Sequence, residues 1–295
     1  MLHSIRKPTP FDVTRLFFLG AIWGGAFIFI TLALVDFDPV SLAAWRVLLG
    51  AVIMVLIARL MAVRLPRELR DWRYIFAIGF LNSAAPFFLI SWGQQYISSA
   101  ASALLMATGT FCTVAVSHFT SDDERINRFR LAGVLIGFSG VFVLVFWGIM
   151  ESGVGGLKGQ IAVVLAGCCY SISSIISRRV SHLPSISISV GTMVSASLYM
   201  VPLAFLLGDP LPGNVGFQSI ISLAFLGVIA TAMAMTIRFS IIRNNGAIFT
   251  SQVGYLVPLF GVIWSGLYFS DAINMQTIIA LSLILVGISV TRKGG

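Results

Sequence analysis

Between residues 74 and 117 the chain carries no Asp, Glu, Lys or Arg, a run of 44 residues. About 20 apolar residues at 1.5 Å rise cross the hydrocarbon core of a bilayer, so this run holds two crossings. It breaks at Gln94-Gln95-Tyr96-Ile97-Ser98-Ser99, a polar turn of the length that joins antiparallel helices. Further uncharged runs lie at 131–150, 159–177, 180–208, 210–237, 244–270 and 272–291, and region 16–58 is interrupted only by Asp36, Asp38 and Arg46. Asp36-Phe37-Asp38-Pro39 divides that region, because proline suits the first turn of a new helix. The pattern predicts ten spans, at about 13–35, 40–60, 73–93, 98–118, 129–147, 158–178, 186–207, 216–238, 247–269 and 273–291. With 58% hydrophobic and 10% charged residues, the composition excludes a soluble domain, which is about a quarter charged. A membrane β-barrel would show short alternating segments instead. The expected fold is an all-α integral membrane protein of ten transmembrane helices.

The formal charge of +8 raises nucleic acid as a partner, and the placement of the bases answers it. Seventeen of the 19 Lys and Arg fall at the ends of alternate spans, on one side of the membrane, while the opposite loops hold Lys158 alone and Arg46 lies inside a span. This bias places both termini in the cytoplasm of a multi-pass protein of the plasma (inner) membrane. The basic residues are topogenic and no nucleic-acid partner is expected; the partners are the lipid bilayer and a small-molecule substrate. The first span is too long for a cleaved leader and reads as a retained helix. Cys112, Cys168 and Cys169 all sit in spans, an odd set without metal-ligand spacing, read as small packing residues. No cofactor or metal is expected.

The chain matches itself weakly at a shift of 146–147. Leu19-Gly20-Ala21-Ile22-Trp23 lies over Ala166-Gly167-Cys168-Cys169-Tyr170, and Leu135-Ile136-Gly137-Phe138-Ser139-Gly140-Val141 over Ser282-Leu283-Ile284-Leu285-Val286-Gly287-Ile288. Five crossings are an odd number, so the second half would return upside down. The expected organisation is two inverted five-helix repeats, 1–147 and 148–295, with a solute path between them at the midplane.

Gly20-Ala21-Ile22-Trp23-Gly24-Gly25, Asp38-Pro39-Val40-Ser41-Leu42-Ala43-Ala44-Trp45-Arg46, and the acidic turns Asp123-Glu124-Arg125-Ile126 and Asp271-Ala272-Ile273, each leading into a glycine-bearing helix, resemble the drug/metabolite transporter superfamily. The resemblance is to its EamA-type ten-helix exporters and covers essentially the whole chain. It implies cytoplasmic termini and efflux of small metabolites or drugs, aromatic and other neutral amino acids among them. It also implies a cavity built by spans one, three, four, six, eight and nine. Two departures stand out: Thr110-Phe111-Cys112 lacks a proline matching Pro258, and Asp271 replaces the usual Glu.

All 11 acids lie outside the span interiors. Proton-coupled carriers relay through an embedded titratable group, so facilitated transport without proton coupling is expected, and a substrate-driven proton current in proteoliposomes would contradict it. The same absence disfavours a cationic substrate. Two readings of Arg46 stand: it snorkels outward to Asp36 or Asp38, or it attracts a substrate carboxylate near the external mouth. The span centres select Trp23, Asn82, Pro86, Met106, Thr108, Thr110, Tyr170, Ser171, Thr231, Met235, Tyr255 and Pro258, of which Trp23, Asn82, Pro86, Met106, Thr110, Tyr170, Tyr255 and Pro258 are further substrate-binding candidates. Asn82 must face the bundle, for an interhelical hydrogen bond or a ligand; the prolines free carbonyls or bend helices; Trp23 and Tyr170 stack on a substrate or pack. Gln94, Gln95 and Tyr96 read as an external turn.

Gly137-Phe138-Ser139-Gly140 mimics an intramembrane serine protease, but the nearest base, His118, lies about 15 Å away along the axis, and the glycines suit close helix packing. No motif of an enzyme or an ATP-driven pump occurs. The chain is read as a secondary efflux carrier of small neutral or zwitterionic metabolites, amino acids foremost, working as a monomer by alternating access. The alternatives are a channel-like facilitator and, from another class, an intramembrane enzyme or receptor.

Overall fold

The computed structural model describes residues 8–63, 65, 66, 68–112, 115, 128–180, 182–250, 253–269 and 274–292. Among them the chain is helical, with no strand. Six apolar helices are long enough to cross a membrane: α1 (Pro10–Ala33), α2 (Pro39–Leu60), α3 (Leu69–Gly93), α6 (Gly155–Ser177), α7 (Ser185–Leu207) and α8 (Phe217–Arg238). Four shorter apolar helices are α4 (Ser99–Cys112), α5 (Leu131–Trp147), α9 (Leu256–Phe269) and α10 (Met275–Val290).

Local chemistry fixes the helix starts. Thr9 and Asp12 form a reciprocal capping box at α1, which satisfies two otherwise orphaned backbone donors. Asp12 is itself buried, and Asn245 donates to it at 3.2 Å. Asp38 caps α2 through the Val40 and Ser41 N–H groups, with Pro39 in the first turn as the sequence predicts.

Several helices depart from ideal geometry. A π turn occupies Phe80–Ala84 in α3, just before Pro86, and another Phe225–Met233 in α8. Such turns widen the helix and shift its carbonyls out of register. In α4 the Met106–Ala107 step interrupts the helix, and bonds three residues apart (Ala107 to Leu104, Gly109 to Met106, Thr110 to Ala107) tighten it toward 3₁₀ pitch. The fourth span, expected to 118, is helical to Cys112 and again at Ala115, and its remaining residues lie outside the described ones. The eighth span, expected to end at 238, continues as helix to Thr250, and helix is described again over Val253–Phe269, with 251 and 252 outside the described residues.

Across the expected connection between the fifth and sixth spans the backbone is locally helical, over Arg128–Ser177, 50 residues. A straight helix of that length would measure about 75 Å. Yet the Gln160 amide donates to the Leu144 carbonyl at 3.4 Å, where a straight helix would hold them about 24 Å apart. The chain therefore turns back between α5 and α6, where the sequence expects a connection.

Glycines set the tightest contacts. A Cβ on Gly140 of α5 would stand 2.8 Å from the Ala280 carbonyl and 3.0 Å from Ile284 of α10, and one on Gly287 would meet Gly133 and Gly137 at 2.6 and 2.5 Å. Positions 133, 137 and 140 lie 147 residues before 280, 284 and 287. A Cβ on Gly20 of α1 would stand 2.4 Å from Leu256 of α9, and Gly109 of α4 and Gly167 of α6 meet backbone to backbone. Gly20 and Gly167 are again 147 apart, as are Gly109 and Leu256. α2 packs along α7, and α5 along α10.

Candidate functional site

The site begins where α1 and α2 face the π turn of α8. The Trp23 indole N–H donates to the Ala230 carbonyl at 3.0 Å, an acceptor inside that turn. The ring's orientation is thereby fixed against α8. Next to it Thr231 is fully buried and donates back to Leu226 five residues earlier, at 2.8 Å.

Thr231 also accepts a hydrogen bond from Arg46 Nε at 3.3 Å, and the guanidinium carbon lies 3.8 Å from the centroid of the Phe87 ring. Arg46 is 7% exposed. The snorkelling reading is corrected: Thr231 is 14 residues into α8 from the end shared with Asp36 and Asp38, roughly 20 Å at helical rise, so the side chain points toward the middle of the bundle. The acids it was expected to reach are engaged elsewhere. Asp36 accepts from the Gly216 N–H at 2.9 Å and Ser219 Oγ at 2.7 Å, and Asp38 reaches the Asp209 N–H at 2.9 Å beyond its capping role.

These bonds also tune the acids. The Ser219 hydroxyl, with the Gly216 N–H, holds the Asp36 carboxyl below its ordinary range. Partial burial of Asp38 opposes ionisation, but the N–H groups of Ser41, Asp209 and Val40 outweigh it, and its pKa is likewise lowered.

Tyr170 of α6 lies within electrostatic reach of both Arg46 and Arg238. With Trp23 and Met106 it borders one apolar cluster that includes Leu19, Ile22 and Ala230. Pro86 is buried beside Phe87, whose ring covers Arg46. Asn82 sits on the α3 π turn, half-buried, and its amide donates to the adjacent Ser83 at 3.4 Å rather than across helices. Thr110 stands at the other end of α4, its hydroxyl 3.8 Å from where a Gly254 Cβ would be. Pro258 is buried within α9. The Tyr255 side chain and His118 lie outside the described residues.

Sequence reasoning missed three features. Gln94 lies in the expected turn, at the C-cap that closes α3, yet it is buried, and its amide donates to the Phe27 carbonyl at 3.0 Å and to Thr31 at 3.4 Å. Phe87 was one apolar residue among many, and only its place beside Pro86 could have marked it. The thiols of Cys112 and Cys168 meet at 3.0 Å between α4 and α6, a pairing that a separation of 56 positions conceals. The Ser139 hydroxyl is exposed and bonds its own helix at Ile136, and Gly137 packs against Phe111, so this segment serves packing. Among the described residues no cluster of three or more His, Cys, Asp or Glu is placed to hold a metal.

Comparison with known proteins places this architecture. The profile of the EamA-like transporter family matches residues 14–146 and again 157–292. The chain is 20% identical over 268 residues to the uncharacterized transporter YoaV of Bacillus subtilis (strain 168), covering 90% of this chain and 91% of that one. It is 23% identical over 288 residues to a probable amino-acid metabolite efflux pump of Salmonella typhimurium, covering 92% of each. A solved crystal structure shares the fold with TM-score 0.71 at 18% identity, over 96% of this chain and 99% of that one. The apolar helices and the doubled match agree, and the chain is a membrane protein that belongs to the EamA-like transporter family.

Proposed function

We propose that the protein is a secondary efflux carrier for small neutral or zwitterionic metabolites, amino acids foremost, that works by alternating access. In this reading α1–α10 are ten spans forming two inverted repeats, 1–147 and 148–295, with both termini in the cytoplasm of the plasma membrane and the whole path within one monomer. The observation that carries the reading is the pairing of contacts. Gly20 against Leu256 and Gly167 against Gly109 are the same contact made twice, 147 residues apart, as are Gly140 against Ile284 and Gly287 against Gly137. Interfaces repeated in this way let one half rock against the other around a fixed site. Trp23, Arg46, Asn82, Pro86, Met106 and Tyr170 are the proposed lining, with Thr110, Tyr255 and Pro258 toward α9. The amino-acid substrate class draws on the Salmonella relative's name.

Counterflow tests the reading. Proteoliposomes loaded with unlabelled phenylalanine, threonine and leucine receive traces of each labelled amino acid outside. Transient accumulation above equilibrium is expected. Equilibration without overshoot would mean a channel-like path, and no uptake of any of the three would overturn the amino-acid assignment.

A further inference from the structure

Among the described residues Arg46 is a cation without a counter-ion. Of its donors, Nε goes to the neutral Thr231 hydroxyl and one face is covered by Phe87. Its terminal nitrogens make no hydrogen bond among the described residues. Among the described residues no carboxylate pairs with it, and the two acids at the start of its own helix are engaged elsewhere, Asp36 with Gly216 and Ser219 and Asp38 with Asp209. Removing a charge from water is costly unless a partner replaces the solvent. The position 147 residues later is Met193, which is buried and apolar, so the same place in the second half is filled without charge. Arg46 therefore is no requirement of packing. Its free fork of N–H groups has the geometry that grips a carboxylate with two parallel hydrogen bonds.

We propose that Arg46 receives the carboxylate of a small organic acid or amino acid, and that this carboxylate is the counter-ion which lets the carrier change its facing. This rests on the carrier reading above. To reorient, the site must close to water from both sides. With substrate bound, the closed cavity holds an ion pair; empty, it holds a bare guanidinium. The loaded carrier thus crosses the closed state more easily than the empty one. Exchange of one carboxylate for another outruns net release, with no proton involved.

The experiment compares efflux of labelled phenylalanine from proteoliposomes into plain buffer with efflux into unlabelled phenylalanine, phenylalaninamide or phenethylamine. Thermal unfolding of the purified full chain with phenylalanine, benzoate and their amides gives a readout independent of transport. Phenylalanine outside is expected to speed efflux about tenfold, while the amide and the amine, which lack a carboxylate, do not. Carboxylates raise the unfolding temperature and amides leave it unchanged. Arg46→Gln abolishes both effects, and Arg46→Lys, which keeps charge but loses the fork, retains them at about tenfold weaker apparent affinity. Should Arg46→Gln fail to fold, the Lys variant and the amide comparison decide. Equal stimulation by phenylalaninamide, or equal exchange and net efflux, would overturn the counter-ion role while a counterflow overshoot leaves the carrier standing. Loss of overshoot together with no carboxylate-dependent thermal shift would overturn both.

Discussion

The α5–α10 interface and the space around Arg46 are built on opposite terms. At α5–α10 the two partners repeat each other in backbone and in chemistry: Gly133, Gly137 and Gly140 face Ala280, Ile284 and Gly287, all small or apolar, with main chains nearly touching. Around Arg46 only the backbone repeats. α3 and α8 each carry a π turn, at Phe80–Ala84 and Phe225–Met233, but Arg46, facing α8, has no charged counterpart, since the position 147 residues on is Met193. Interfaces that hold a fold together can be duplicated without cost to function. At Arg46 the sequence departs from its own repeat, as the proposed binding site requires.

Making the first half resemble the second should have the largest effect. Arg46→Met is expected to reduce phenylalanine exchange about a hundredfold or more, since losing one partner of a buried charged pair costs about 2–5 kcal/mol. Its unfolding temperature should hold or rise, because an apolar replacement removes a buried charge. Calorimetry and flux on one preparation would check both.

Disturbing the periphery should do the reverse. Gly287→Val pushes side-chain atoms into the backbone of Gly137 and should cost about 1–3 kcal/mol of stability by overpacking, with exchange per folded molecule unchanged. A flux defect larger than the loss of folded protein would tie α5–α10 to the path.

A smaller effect is expected at Thr231. Thr231→Val removes the acceptor that orients Arg46 and should lower the apparent affinity for carboxylates about tenfold, the worth of one charge-assisted hydrogen bond; Thr231→Ser should restore it. Between α4 and α6, a mild two-electron oxidant should join Cys112 to Cys168, the two thiols losing their hydrogens to the oxidant. Intact mass would read the cross-link, and exchange should slow if α4 and α6 part during the cycle.

The smallest effect concerns the loop clasps. Asp36 and Asp38 have lowered pKa values, so their contribution is full above the ordinary carboxylate range near about 4. It fades as pH falls through their lower folded values. Thermal stability should be flat from neutral pH to about 5 and decline below about 4, less steeply in Asp36→Asn.

The long helices were legible because hydrophobic runs and their punctuation are local. Asp38-Pro39 announced α2, and glycines spaced along α5 announced its packing face. What escaped depends on atoms distant in sequence or on backbone detail. No local signal tells whether an arginine one-third of the way along a helix turns outward or inward; the buried Thr231, 185 positions on, settles it. The π turn of α8 follows no proline, Met106–Ala107 reads as ordinary helix, and the segment rich in glycine before α6 resembles a loop although its backbone stays helical. Gln94 reads as polar punctuation until Phe27 and Thr31 are seen beside it.

Counterflow of labelled phenylalanine by wild type and Arg46→Met, reconstituted side by side and normalised to folded protein, tests the central claim most directly. The account predicts a transient overshoot for wild type and none for a variant that unfolds at the same temperature or higher. An Arg46→Met carrier that overshoots like wild type would contradict it.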